Sequence, residues 1–395
     1  MDSAVSTDED QSSPDDLTRL SVGDMPVPEF PNPAFVRPGP LAQSRIAVVT
    51  TAGLLAGGQE RWVKGDQTFR VIPDDAEGLI LGHGSPNYDR LGFLADPNVV
   101  IPRDRLHELA DEGVIGSVAA RHISFVGNQD ETMTTIRLDS GPAAAALLKE
   151  DGVDVVLLTP VCPLCSRTCG TLAHVLEAQG LSTVTISLVS GVSERLKPPR
   201  TLYCRFPFGR PLGRPNDPGF QRDVVLATLD LLSEKSGPVL RDYPIAELAD
   251  GEVLTCTVAP RLDLSLPVEV DEAIGLRPAY DRQLSRSGRT TLGRTTDAAG
   301  IADIIRRLIT VRDGAAWDET GLPPSTRDVA ADVRSYYEEA ALALSDHTPS
   351  AHAGEDWLFT HTATGQLLRD VQQRLKATVP DSRELWFYMV PRAYQ

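Results

Sequence analysis

Basic residues are in deficit in this chain: 38 Lys and Arg stand against 55 Asp and Glu, a formal net charge of −17 over 395 residues. Phosphate backbones are bound through a basic stripe, so this balance argues against a nucleic-acid surface. Long apolar runs are missing too, and nothing approaches the roughly 18–20 residues a membrane span requires. The opening MDSAVSTDEDQSSPDD has neither the basic start nor the apolar centre of a secretion signal. A soluble, cytoplasmic protein is expected. Neither G-x-G-x-x-G nor G-x-x-x-x-G-K-[ST] occurs, which leaves nucleotide cofactors without a fingerprint. No internal repeat of fixed period is found.

Cysteine is sparse as well. Five cysteines, an odd number, do not make a disulfide scaffold. Yet three of them, Cys162, Cys165 and Cys169, fall within eight residues, while Cys204 and Cys256 stand alone. Clustered thiols without a secretion signal point to redox chemistry or metal binding.

What is present suffices for a core: 41% of residues are hydrophobic and 24% charged. At about 150 residues per domain, the length suits two or three domains. Residues 1–40 carry eight acidic and two basic side chains with much Ser and Pro, and read as a disordered acidic tail. A docking role for a basic partner is the alternative reading of that tail. Order begins at Ile46-Ala47-Val48-Val49, a buried strand running into a loop of small residues. Helical spacing follows over 103–114 and 142–148, a strand over 153–158, a helix over 169–178, a strand over 183–189 and a helix over 222–232. Strands alternating with helices predict an α/β domain over 41–235, doubly wound on a mostly parallel sheet. The stretch 193–220, rich in Pro, Gly and Arg, reads as a long ordered loop. Residues 236–395 read as a C-terminal helical or mixed extension, or second domain, with a strand-like piece at 252–258.

The densest signal is VDVVLLTPVCPLCSRTCGTLAHVLEAQG. A buried strand runs into Cys162-Pro163-Leu164-Cys165 and a helix begins within a few residues. Functional groups of parallel sheets gather at such strand ends. A helix N-terminus favours the thiolate, and Arg167 can add to that effect. The first two thiols can close a small disulfide after one of them has reacted. Cys169 shares a helix face with Cys165 if the helix starts early. Three thiolates could instead hold zinc or an iron–sulfur cluster, with His174 as the local candidate for a fourth ligand. A buried, inert cluster is the third possibility.

Other candidates surround this turn. The segment His83-Gly84-Ser85-Pro86-Asn87-Tyr88-Asp89-Arg90 follows an apolar run, and His83 can hand a proton to a departing amine or thiol. Asn87 and Asp89 are substrate-binding candidates, although Asp89 could simply pair with Arg90. Thr50, Thr51, Gly57 and Gln59 after the first strand could bind a carboxylate, or form an ordinary turn. Arg205, Arg210 and Arg214 offer carboxylate-binding forks or plain loop anchors. His122 reads as a core or rim histidine, and His107 as solvated.

These residues carry a resemblance over roughly 45–235. The blocks VVTTAGLLAGGQE, GDQTFRVIP, HGSPNYDR, DPNVVIPRDRLHELADEGVIG, HISFVG and LLTPVCPLC, in that order, resemble the selenoprotein B family of glycine, sarcosine, betaine and D-proline reductases. In that family a selenocysteine at the strand end attacks a substrate carbon, expels an amine and is later resolved by reduction. The resemblance implies that Cys162 stands at the selenocysteine position and Cys165 is the resolving thiol. A thiolate follows the same path as a weaker nucleophile and poorer leaving group. D-proline reductase activates its substrate with a pyruvoyl group on another subunit, and nothing in this sequence supplies one.

The expectation is thus a thiol-dependent reductase that cleaves a carbon–heteroatom bond, C–N foremost, of a small amine or amino-acid-like substrate. It would need no bound cofactor or metal, only an external dithiol or thioredoxin-like reductant. A partner subunit carrying the substrate and an oligomeric assembly are expected, with no nucleic acid and no membrane. The alternatives are a metal- or cluster-binding accessory protein ligated by Cys162, Cys165 and Cys169, or a non-catalytic complex subunit.

Overall fold

The structure, a computed structural model, describes residues 13–63, 65–249, 251–254 and 261–395. Among the described residues there are ten strands: β1 Arg45–Thr50, β2 Leu54–Leu55, β3 Arg70–Pro73, β4 Ile80–Leu81, β5 Ser117–Val118, β6 Arg121–Ser124, β7 Val155–Thr159, β8 Ser182–Ser187, β9 Arg200–Tyr203 and β10 Val239–Asp242. The α/β part carries helices α1 Pro14–Gly23, α2 Leu91–Ala95, α3 Arg103–Asp111, α4 Gly141–Glu150, α5 Cys165–Ala178, α6 Ser190–Leu196 and α7 Pro218–Asp230.

The main sheet runs β10-β9-β8-β7-β1-β6-β3, with β5 also beside β1. Every pairing is parallel except β3 with β6. β7 is buried along its whole length, as a strand covered on both faces must be. Side chains alternate between two cores. Ile46, Val48, Val155 and Leu157 face α3 and α7, while Ala47, Val49, Val156 and Leu158 face α4 and α5. The sheet is therefore doubly wound and mostly parallel.

From β1 the chain builds β6 on one side, then crosses to β7 on the other. β1 is thus the point where the winding reverses, and a crevice forms outside the carboxyl ends there. The register Thr50↔Thr159 sets the ends of β1 and β7 level, so the loops that follow them meet.

The C-terminal region is helical: α8 Val268–Ser287, α9 Ile301–Arg312, α10 Thr326–Leu344, α11 Ala353–His361, α12 Ala363–Thr378 and α13 Arg383–Trp386. It has its own core around Ile305, Leu308, Tyr336, Tyr337, Trp357 and Leu368. The side-chain oxygen of Ser325 accepts the Asp328 N–H at 3.3 Å and caps α10. No helix among the described residues is long and apolar enough to cross a membrane.

Four local expectations change. Of the acidic segment 1–40, residues 1–12 lie outside the described residues and the remainder is ordered: α1 packs on α6, and Arg19 donates to the carbonyls of Leu188 and Phe206. Composition undervalued it because its hold is tertiary. Within 193–220, β9 continues the sheet, pairing Thr201 with Thr185 straight after Pro198-Pro199. The helix expected from Cys169 begins one turn earlier, at Cys165. Of the strand-like piece 252–258, residues 252–254 form no strand, and the rest, with Cys256, lies outside the described residues.

Candidate active site

Local sequence places the thiols. β7 ends at Thr159, Cys162-Pro163-Leu164 turns the chain, and the Cys165 N–H donates to the Cys162 carbonyl at 3.0 Å as α5 begins. His83 arrives from a small antiparallel pair, β2 with β4, in which Leu54 faces Leu81. Gly53, at φ +63, lets the chain turn after β1, and a Cβ there would meet the His83 backbone nitrogen at 3.1 Å. A sequence separation of 82 residues, His83 to Cys165, thus closes to 3.5 Å at one sheet end.

The geometry is tight. Cys162 Sγ and Cys165 Sγ are 3.0 Å apart, and Cys165 Sγ is 3.5 Å from His83 Nε2. The Thr51 carbonyl oxygen lies 3.4 Å from Cys165 Sγ, an acceptor for the protonated thiol. Cys162 is 1% exposed, and Cys165 and His83 are fully buried. Gly127 presses on the pair so closely that a Cβ would come within 2.3 Å of Cys165 Sγ.

Burial opposes a charge on either sulfur. At Cys165 the hydrogen bonds from the Cys162 thiol and from His83 outweigh it, and hold this thiol well below the usual range. Cys162 is pushed well above that range by burial and by its charged neighbour. Of the two thiols, Cys165 is therefore the one that gives up its proton more readily.

The His83 ring has a fixed role. The Ser85 backbone N–H donates to Nδ1 at 3.0 Å, so the neutral imidazole carries its proton on Nε2 and points it at Cys165. The Tyr88 ring meets His83 edge-on at 5.6 Å, and the Tyr88 hydroxyl donates to the His83 carbonyl at 3.2 Å.

His83, Cys162 and Cys165 also present three ligand atoms within 4.8 Å of one another, so a metal has to be weighed. A ligating Nε2 needs a free lone pair, with the proton moved to Nδ1 to be donated outward. Here Nδ1 is already an acceptor. The donor set fits a proton-donating imidazole beside a thiolate better than a metal ligand. Cys169 is not in this group: its Sγ sits 3.4 Å from Thr51 Oγ1, and burial pushes its thiol up.

The remaining sequence candidates divide. Thr51 joins the thiols through its carbonyl and hydroxyl. Thr50 does not: its hydroxyl donates to the Thr159 carbonyl and accepts the Ala52 N–H. Asn87 accepts the Arg392 N–H at 2.9 Å and lines a separate cavity of about 300 Å³ with Asp15, His352 and Tyr394. Asp89 does not pair with Arg90. It is buried against Arg210 at 2.7 Å, while Arg90 donates to the Ala331 carbonyl and the Ser335 hydroxyl. Arg205 and Arg214 pair with Asp16 and Glu247, so these loop arginines act as anchors. The buried Arg167 donates to the carbonyls of Pro26 and Gln129, tying them to α5. His122 is buried between the Val48 N–H and Asp74, His107 pairs with Asp74 at the surface, and His174 is taken by the Leu196 carbonyl. Gln59 bonds back to Ala56 and Val71.

Sequence reasoning missed Ser85, which sets the tautomer, and Gly127, which packs on Cys165. Both stand inside the blocks HGSPNYDR and HISFVG, so the signal was a residue beside the one that draws attention.

Residues 25–161 match the family described as glycine/sarcosine/betaine reductase selenoprotein B. The chain is similar to D-proline reductase subunit gamma of Acetoanaerobium sticklandii, 33% identical over 197 residues that cover 49% of this chain and 80% of that protein. Two proteins of Peptoclostridium acidaminophilum follow, the sarcosine reductase complex component B subunit beta at 28% and the glycine reductase complex component B subunit gamma at 29% identity. In both, the match covers 52% of this chain and 50% of the relative, so it spans about half of their length. No solved structure gives a significant match.

Proposed function

Because this chain belongs to the glycine/sarcosine/betaine reductase selenoprotein B family, we propose that it is the thiol-bearing subunit of a reductase complex that cleaves a C–N bond of a small amine or amino-acid-like substrate. On this reading Cys162 takes the place of the family's selenocysteine. The observation that supports the reading most is the hydrogen-bonded line Ser85 N–H, His83, Cys165, Cys162, which sets an imidazole N–H beside a buried pair of thiols.

The steps balance without a bound cofactor. Cys162 sulfur attacks the carbon bearing the ammonium group, its proton passing to Cys165 across 3.0 Å, and the amine leaves with the C–N electron pair. Cys165 then attacks the Cys162 sulfur, the S–C bond pair goes to the substrate carbon, and that carbon takes a proton. The products are a reduced substrate, ammonia or the corresponding amine, and a Cys162–Cys165 disulfide. Two electrons have moved from the dithiol into the new C–H bond. An external dithiol or thioredoxin-like protein returns the pair to its reduced form.

His83 Nε2–H steadies the charge on Cys165 while Cys162 is the attacking atom, and Thr51 O accepts from Cys165 whenever it is protonated. Both sulfurs are enclosed, so substrate reaches them only when the surrounding loops open. The relatives are named as subunits and components of reductase complexes. A partner subunit that presents the substrate fits the lack of any pyruvoyl-type activating group here.

Adduct trapping tests the assignment. In Cys165→Ser, substrate should leave a stable thioether on Cys162, seen by peptide mass, whereas Cys162→Ser should accumulate none. An adduct on Cys165 in the second variant would exchange the two roles, and no adduct in either would remove the reading.

A further inference from the structure

Gly82 and His83, the two residues that deliver the imidazole to the thiols, both present their carbonyls to a single guanidinium. Arg294 donates from one amino nitrogen to the Gly82 oxygen at 3.2 Å and from the other to the His83 oxygen at 3.1 Å. Arg294 belongs to the C-terminal helical region, in the segment between α8 and α9, more than 200 residues from the loop it holds. A planar fork on two successive carbonyls fixes the rotation of the peptide between them, and with it the direction in which His83 leaves the chain.

Arg294 is itself held. Asp332, fully buried on α10, accepts the N–H of Gly293 and Arg294 on one oxygen, and those of Thr295 and Thr296 on the other, at 2.6 to 3.1 Å. The Thr295 hydroxyl donates to the same carboxylate at 2.9 Å. Two further arginines of α10 touch the same loop. Arg334 donates to the Pro86 carbonyl at 2.7 Å, and a Cβ on Gly84 would meet the Arg327 guanidinium at 3.0 Å.

We infer that Arg294, locked by Asp332, is a positioning residue for the thiol site: it sets the backbone of His83 so that Nε2 stays on Cys165. Arg294 fixes the peptide, Ser85 fixes the ring, and together they leave the imidazole one orientation. The helical region is in this way part of the thiol machinery. This rests on the thiolate reading proposed above.

The test is the thiolate absorbance near 240 nm followed against pH in the full reduced chain, read as the difference from Cys165→Ser. Proton loss needs no reagent to enter the buried site. Arg294→Gln should raise the half-titration pH by one unit or more, about tenfold less thiolate at a given pH below it. Arg294→Lys should recover part of the shift. A folded Arg294→Gln that titrates as the parent protein overturns the inference. If that variant does not fold, Asp332→Asn, which keeps the guanidinium but frees its segment, is read the same way: a raised half-titration pH supports the inference and an unchanged one overturns it. His83→Gln separates the two levels. If the parent shows no low-titrating thiolate, or His83→Gln leaves it in place, the thiolate reading falls and this inference with it. If His83→Gln moves it and Arg294→Gln does not, the inference alone falls.

Discussion

The backbone N–H of Ser85 donates to Nδ1 of His83 at 3.0 Å, and that bond decides what the imidazole can do. With Nδ1 occupied as an acceptor, Nε2 is a donor, and Cys165 is the sulfur it faces. A histidine able to give a proton to a thiolate is the opposite of one free to bind a metal. The prediction is that nitrogen-15 spectra of histidine-labelled protein near neutral pH place the His83 proton on Nε2. A proton found on Nδ1 would return the metal reading to the front.

Gly127 is predicted to tolerate no side chain. A Cβ would fall 2.3 Å from Cys165 Sγ and 2.9 Å from its Cα, and α5 cannot give way without moving both thiols. Gly127→Ala should cost about 1–3 kcal/mol, as overpacking of a filled core does. Denaturant unfolding measures that cost, and the pH titration of thiolate absorbance should show Cys165 shifted upward in the same variant. A variant as stable as the parent, with an unchanged titration, would mean the pair is looser than these contacts indicate.

Much of the fold was legible from residues 46–49 and 153–158, because a strand buried on both faces must be apolar at every position. The thiol turn was legible for a related reason: Cys162-Pro163-Leu164-Cys165 follows such a strand directly. What sequence could not give were pairings made across distance. Apolar spacing starts α5 only at Cys169, because Cys165-Ser166-Arg167-Thr168 carries none, yet the turn is helical and the Cys165 N–H meets the Cys162 carbonyl. β9 was hidden behind Pro198-Pro199, and α1 behind an acidic composition. Asp89 has Arg90 beside it in sequence but Arg210 beside it in space. Local spacing sees only the first.

His352 ties α1 to the helical region. Its Nε2 lies 3.2 Å from Asp15, and its Nδ1 is 3.7 Å from Glu355. Burial works against the charged ring, but Asp15 and Glu355 outweigh it and hold His352 well above its ordinary 6.5. Burial likewise opposes the Asp15 charge, and His352 outweighs it, so Asp15 lies below its ordinary 3.8. A raised histidine contributes stability that is complete below its unfolded value and lost as pH climbs through the folded one. A lowered aspartate contributes above its unfolded value and loses it as pH falls through the folded one. His352→Ala should therefore cost on the order of 1–3 kcal/mol between about pH 4 and 6.5, and the gap from the parent should close at alkaline pH. Unfolding midpoints across that range check it, and a gap independent of pH would contradict it.

Glu339 is a carboxyl shifted the opposite way from Asp15. Burial raises this carboxyl to about 7, although the Thr291 N–H and the hydroxyls of Thr290 and Thr291 donate to it. Among the described residues its other oxygen, Oε2, finds no hydrogen-bond partner. Between its ordinary 4.5 and about 7 the unfolded chain has already lost this proton, so stability falls as pH rises through that window. Glu339→Gln removes the charge and keeps an acceptor for Thr291. It should match the parent at pH 4 to 5 and exceed it by about 2–3 kcal/mol at pH 8. Equal unfolding curves at both pH values would show that the site is wetter than it looks.

The most direct measurement is a redox titration of the whole protein read by intact and peptide mass, with metal content determined on the same sample. Oxidation should remove two hydrogens, map to a Cys162–Cys165 disulfide, and reverse with a dithiol, while Cys169 and Cys204 stay reduced. Substrate added to the reduced protein, with its partner subunit, should produce the same disulfide. A pair that never joins, or a stoichiometric metal that shields Cys162 and Cys165 from alkylation, would contradict the dithiol reading.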